Sequence, residues 1–129
     1  MNKIVVEVSV GELLDKISIL EIKKEKIKDP EKLRFINNEH EVLKDQFLKN
    51  VKSDEKVDSL FKFLKEINNK LWVIEDDKRL CEKNSDFGDE FIKLSRDVHF
   101  LNDERANLKL EINNKTGSKI KEIKEYTKY

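Results

Sequence analysis

The sequence predicts an all-α protein, an antiparallel helical bundle built on a long helical hairpin, with one short N-terminal β-strand. Its 129 residues include only three glycines and one proline, so tight turns are few. Charged side chains make up 42% of the chain and aromatic side chains 8%, which is typical of long solvated helices. Two long segments also carry apolar residues at alternating spacings of three and four, the pattern of a coiled-coil seam.

The start of the chain predicts the strand and two helices. Residues 3–8 are a β-branched run of strand character. A lone strand needs hydrogen-bonding partners, so we expect it to pair with a second copy or with the tail, or to lie against helices. The spacing from Ser9 to Glu12 is that of a capping box and starts the first helix. That helix stops before Asp29, which fits the N-cap of a second helix beginning at Pro30.

The third and fourth predicted helices together form the long hairpin. Ser53 and Asp54 mark a break, after which one seam runs to Cys81. A second seam follows the link at residues 84–86 and ends before Gly117, which suits a helix C-cap. Each helix of about 28 residues is about 42 Å long. Because the link is short, we expect the two helices to run antiparallel, with helices one and two lying across them.

The antiparallel register predicts which residues of the hairpin face each other. The facing pairs are Glu75 with Arg96, Asn68 with Asn102, Trp72 with His99, and Glu66 with Arg105. We expect residues 1–117 to form a single domain. Residues 118–129 carry few apolar side chains, so we expect a flexible tail unless Ile120, Ile123 and Tyr126 dock on a partner.

Composition excludes several classes of function. The chain has 27 basic and 27 acidic residues, so no net charge draws it to nucleic acid. The sequence has no apolar run of the length that spans a bilayer, and we expect a cytoplasmic protein without membrane insertion. Cys81 is the only cysteine, so neither a disulfide nor a multi-thiolate metal site can form within one chain. We expect no cofactor and no metal.

The motifs along the chain resemble those of a bacterial family of small helical proteins of unknown function. The resemblance covers most of the chain and rests on residues 9–17, Ile19 to Lys23, Leu71-Trp72, Ile74 to Asp76, Arg79, Phe87, Phe91-Ile92, Leu94, Asn102-Asp103, Arg105-Ala106, Leu108-Lys109, Ile112-Asn113 and Gly117-Ser118. Val10 departs from the family pattern, which usually has proline at this position. Without proline, the turn that enters the first helix is expected to be less rigid. The resemblance implies no activity. It does imply that the gene lies near genes for surface-polysaccharide synthesis and glycosyl transfer.

Charged residues inside the apolar stripes mark where a site could lie. Lys24, His40, Lys78 and Arg105 each occupy a seam position, where a buried cation needs a partner or a polar pocket. One interpretation is a pocket between helices for an anionic small molecule, with Arg105 as a bidentate clamp. Its candidate ligand-binding residues are Arg105, Asn102, Glu75, Lys78, Arg79, Arg96 and Lys16. The alternative is that these side chains form structural ion pairs that fix the register. His40 is expected to be half-buried and hydrogen-bonded to a neighbour.

The absence of any catalytic motif favours a non-enzymatic accessory or adapter protein that self-associates. We expect a homodimer formed through the N-terminal strand or the helix seams, with other proteins as further partners. The rival interpretation is a protein or enzyme that binds an anionic metabolite in the Arg105 pocket. If Arg105 is structural, Arg105→Leu should keep or raise stability. If Arg105 serves a ligand, the variant should fold and lose binding.

Overall fold

The computed structural model describes residues 2–129, which form four helices and no strand. The helices are α1 (Val10–Lys26), α2 (Pro30–Asn50), α3 (Glu55–Lys83) and α4 (Asp89–Thr116). The all-α class is therefore confirmed. Ser9, Asp29 and Asp54 are the N-caps of the first three helices, and each side chain accepts a first-turn backbone N–H. Gly117 ends α4 with a left-handed φ of 66°. Met1, the first residue of the expected 1–117 domain, lies outside the described residues.

The N-terminal strand expected at residues 3–8 is not seen in the described part of the chain. Residues 2–9 precede α1 without regular secondary structure. Ile4, Val5 and Val6 are exposed, Ile4 to 89%. Strand character needs a neighbouring strand to complete its hydrogen bonds, and residues 2–129 contain none.

Helix α1 lies at the centre of the fold, in contact with α2, α3 and α4. The packed core joins α1 residues to residues of the other three helices: Leu14, Ile17, Phe47, Val57, Leu60, Leu64 and Ile112. Helix α2 packs against α1, and α3 packs against α4. The expectation that α2 would lie across α3 and α4 with α1 was therefore wrong, because α1 takes the central position. With neighbours on three sides, α1 buries a wider face than a single apolar stripe.

The first turn of α1 is held tightly against the end of α4. The Gly11 N–H donates to Asn113 Oδ1 at 2.7 Å, and the Val10 N–H donates to Ser118 Oγ at 3.2 Å. A Cβ atom at Gly11 would lie 2.4 Å from the carbonyl oxygen of Lys109, so only glycine allows this approach. The N–H groups that helix starts usually offer to anions are thus already bonded.

Residues 73–93, which we call the arm, project from this core. They comprise the end of α3, the linker 84–88 and the beginning of α4. In the arm only Cys81 is buried, whereas burial resumes at Leu71 on one side and Leu94 on the other. Four large apolar side chains of the arm are exposed: Val73, Leu80, Phe87 and Ile92.

The tail, residues 118–129, has no regular secondary structure and lies beside α4. Glu122 accepts from Lys109 Nζ at 2.9 Å, and the Tyr129 hydroxyl donates to Asp103. Ile123 and Tyr126, named above as side chains that a partner would cover, are exposed. The tail is therefore attached by these polar contacts and by the ring of Tyr129, whose centroid lies 5.3 Å from those of His99 and Phe100.

Candidate functional site

The polar centre of the protein is Asp15, on the face of α1 that meets α3 and α4. Its side chain is 2% exposed. Arg105 of α4 binds it with both arms of the guanidinium, Nε to Oδ1 at 2.9 Å and Nη2 to Oδ2 at 2.6 Å. Asn68 of α3 donates to Oδ1 at 2.9 Å and to Ser18 Oγ at 2.8 Å. The Ser18 hydroxyl donates to the Asp15 carbonyl at 2.7 Å. One carboxylate thus joins three helices.

Opposing effects set the charge of Asp15. Burial alone would raise the pKa of its carboxyl. The hydrogen bonds from Arg105 and Asn68, with the charges of Arg105 and Lys109, outweigh burial and hold the pKa of Asp15 below its ordinary value. The bond to Asp15 also raises the pKa of Arg105. The pair is therefore charged near neutral pH, and the Asp15 carboxylate is a weaker base than an ordinary one.

Lys109 forms a second ion pair one turn from Arg105 on α4. Its ammonium lies 2.7 Å from Glu12 of α1 and 2.9 Å from Glu122 of the tail. Burial lowers the pKa of Lys109, but the bonds to Glu12 and Glu122 more than compensate and raise it overall. Lys109 therefore ties the start of α1 and the tail to the same position on α4.

A groove of about 320 Å³ borders the Asp15 centre, and we call it the Trp72 groove. It lies between α1 and α3 and reaches Arg105 on α4. Its lining residues are Ile19, Ile22, Asn68, Leu71, Trp72, Glu75, Asp76, Arg79 and Arg105. Because Asp15 neutralises Arg105, the remaining charges of the lining are two carboxylates and Arg79. The Arg105 side chain is 29% exposed, so part of its guanidinium edge faces outward.

The structure brings together four of the seven candidate ligand-binding residues. Arg105, Glu75 and Arg79 line the Trp72 groove. Asn102 lies beside them, with its Oδ1 3.4 Å from Arg105 Nη1, a long contact.

The other three candidates lie away from the groove. Lys78 places its ammonium 5.8 Å from the centre of the Phe91 ring, a cation–π contact within the arm. Arg96 lies on an exposed part of α4, beside a second depression that contains Ile92 and Phe100. Lys16 is exposed and lies 3.8 Å from Glu12 one turn away.

The residue pairs that the antiparallel register of α3 and α4 predicts are not the polar contacts that Arg105 and His99 make in the structure. Arg105 pairs with Asp15, whereas Glu66 is exposed. His99 lies against the rings of Phe100 and Tyr129, at centroid distances of 4.4 and 5.3 Å. The register considered only α3 and α4, whereas α1 supplies Asp15 as the counter-charge of Arg105, which the register had assigned to Glu66 of α3. The expectation for His40 is confirmed, since the half-buried ring lies 3.4 Å from Glu21 Oε2.

Sequence reasoning underrated Asp15 and missed Ser18 and Lys109. No role is predicted for Asp15 above, although its side chain is buried at the centre of the fold. A signal was present: Gly11, Asp15, Ser18 and Ile22 repeat at spacings of four, three and four, which places them on one face of α1. Three of these four residues are small or polar, which is typical of close helix contact rather than of solvent.

The described residues offer little for metal or thiol chemistry. No group of three or more His, Cys, Asp or Glu side chains within residues 2–129 is placed to hold a metal ion. Burial, together with the charges of Asp86 and Glu90, raises the pKa of the Cys81 thiol and so disfavours the reactive thiolate. None of the helices in residues 2–129 has the length and apolar character needed to cross a membrane.

Comparison with known proteins gives one match. Residues 4–129 match the model of a family described as a family of unknown function, DUF6165. No curated protein and no solved structure matches the chain significantly.

Proposed function

The chain belongs to the DUF6165 family of unknown function, and we propose that it is a non-enzymatic, cytoplasmic accessory or adapter protein that acts by self-association. The observation that carries this proposal is the exposed apolar surface of the arm. A setting in surface-polysaccharide synthesis, implied by the family resemblance, is part of the same proposal.

The arm has the properties of a helical interaction surface. Val73 and Leu80 stand seven residues apart on α3, and therefore on one face of that helix. Both are exposed, as are Phe87 and Ile92. An exposed apolar face on α3, with the exposed side chain of Ile92 on the adjacent α4, favours association with further helices, as in four-helix bundles. A second copy of the same arm would supply two such helices.

The state of the polar centre supports a non-enzymatic role. Asp15 is the most deeply buried carboxylate of the described chain, and Arg105 and Asn68 already occupy its oxygens. A general base needs a free lone pair and a pKa near the working pH. The Asp15 carboxylate instead accepts three hydrogen bonds, has a lowered pKa and fixes the positions of α1, α3 and α4.

Sedimentation of the full chain at several concentrations tests self-association. We expect a dimer that dissociates on dilution. Leu80→Lys on the arm should shift the chain to monomer, because it places a charge in the apolar contact. Leu48→Lys is the matched control, since Leu48 is a comparably exposed leucine on α2, 66% against 56% for Leu80. A native chain that remains monomeric at every concentration would contradict the proposal.

A second candidate function is binding of an anionic metabolite in the Trp72 groove. The outward edge of Arg105, with Arg79 nearby in the lining, favours it. Glu75 and Asp76 would then accept hydrogen bonds from the same ligand. Trp72 and the aliphatic lining would pack on its apolar part.

A thermal-shift screen against nucleotides, sugar nucleotides and dicarboxylates tests this candidate. We expect a compound that stabilises the native chain to lose its effect in Arg79→Gln and to keep it in Arg96→Gln. Arg79 is the better variant because, unlike Arg105, it has no ion-pair partner in the described structure whose charge would be stranded. The absence of any shift across the screen would reject this second function.

A further inference from the structure

The turn between α1 and α2 carries a basic surface, which we call the collar, residues 23–34. It contains six cations, Lys23, Lys24, Lys26, Lys28, Lys32 and Arg34, against three carboxylates. Most of these side chains are exposed, and Arg34 lies over the exposed ring of Phe35 at 5.0 Å. The collar is therefore a basic surface with an apolar edge.

The far end of the arm, residues 82–90, carries the opposite charge, and we call it the tip. It contains four carboxylates, Glu82, Asp86, Asp89 and Glu90, against Lys83 alone. All nine residues are exposed, including Phe87. The tip thus also combines charge with an apolar side chain, but its sign is opposite to that of the collar.

Within one chain the collar and the tip do not neutralise each other. Glu25, in the last turn of α1, is paired with Lys65 of α3 at 2.9 Å, so the collar begins at that level of α3. Helix α3 then continues without a break to Lys83, about 27 Å further along its axis. No ion pair within residues 2–129 joins the collar to the tip.

We propose that two copies of this chain pair their arms side by side in opposite directions, so that the tip of each packs against the collar of the other. This inference rests on the proposed self-association and names the surfaces that form it. A two-fold axis makes the two contacts identical, so the charge complementarity counts twice. Val73 and Leu80 lie between collar level and tip and would form the apolar middle, with charged contacts at both ends.

Two charge-reversal variants of the full chain test the pairing. In the first, Glu82→Lys and Glu90→Lys make the tip basic. In the second, Lys28→Glu and Lys32→Glu make the collar acidic. Each variant alone brings like charges together at both contacts. We expect the dissociation constant of each, measured by sedimentation, to rise at least tenfold. The thermal midpoint of each variant verifies that it is folded.

Mixing the two variants is the decisive measurement. In the mixed dimer the basic tip meets the acidic collar and the acidic tip meets the basic collar, so both contacts regain opposite charges. We expect the equimolar mixture to form a heterodimer close to native affinity. A folded pair of monomeric variants that fails to associate on mixing would overturn the arrangement, as would variants that dimerise like the native chain. A monomeric native chain would instead reject self-association itself.

Discussion

Asp15 of α1 and Arg105 of α4 form a two-point ion pair, with Nη2 of Arg105 2.6 Å from Oδ2 and Nε 2.9 Å from Oδ1. The two residues are 90 positions apart in the sequence. The carboxylate is buried and the guanidinium is partly exposed, so the effect of removing Arg105 on stability depends on what happens to Asp15. The expectation that a structural Arg105 would tolerate Arg105→Leu no longer holds, because that substitution would strand a buried negative charge.

The first prediction concerns the coupling of this pair. Arg105→Leu should lower the free energy of unfolding by about 3 kcal/mol, since breaking a buried pair leaves one charge uncompensated. Asp15→Asn should also destabilise the fold. The double variant should lose less than the sum of the two single losses, because neither partner is stranded. Urea unfolding of all four proteins measures the coupling, and strictly additive losses would contradict it.

The second prediction is a loss of stability in acid. The pKa of Asp15 is lower in the folded chain than its ordinary value of 3.8. As the pH falls below that value, the unfolded chain takes up a proton before the folded chain does, so the free energy of unfolding decreases. Above it the stabilisation is complete. Urea unfolding at a series of pH values should show this slope in the native chain and in Asp77→Asn, an exposed control, but a flatter one in Asp15→Asn.

The third prediction concerns the close approach of α1 and α4. Gly11→Ala should lower the free energy of unfolding by about 2 kcal/mol, because its Cβ would meet the backbone oxygen of Lys109. Gly88→Ala is the matched control, as its Cβ would lie 3.5 Å from Asp86 Oδ1, an ordinary contact. Gly88 is the N-cap of α4, where alanine is less favourable than glycine, so we expect that control to cost less than about 1 kcal/mol. Equal effects of the two substitutions would show that the contact at Gly11 can relax.

The fourth prediction separates the arm from the N-terminal segment as the site of self-association. Deleting residues 2–8 should change the free energy of unfolding by less than about 0.5 kcal/mol, since the side chains of this segment are exposed. If the arm forms the dimer, the truncated chain should sediment as the native chain does. A truncated chain that becomes monomeric would instead favour pairing through the N-terminal segment.

The sequence allowed the helices to be predicted because their ends depend on local chemistry. Ser9, Asp29 and Asp54 are caps whose bonds close within three residues. Gly117 ends α4 as its left-handed backbone requires. The central place of α1 depends on contacts between distant residues, so local patterns do not report it.

The candidate site was predicted only in part, for a related reason. Arg105 was recognised because a cation interrupted an apolar stripe. Asp15 was underrated because acids are common in the first turns of helices, where solvent usually accommodates them. The spacing of Gly11, Asp15 and Ser18 distinguishes a buried acid from a solvent-exposed one. A small residue one turn before the acid leaves room for a neighbouring backbone.

The bonds at the first turn of α1 also set an order for folding during synthesis. Helix α1 leaves the ribosome before α4, and the acceptors for the Gly11 and Val10 N–H groups are Asn113 and Ser118, 102 and 108 residues later. Arg105, the counter-charge of Asp15 in α1, is also translated after α1. The nascent helix must therefore remain incompletely paired until α4 has emerged. Contacts of such long sequence separation slow folding, so completion of the native state waits for the end of α4 and the residue that follows Gly117.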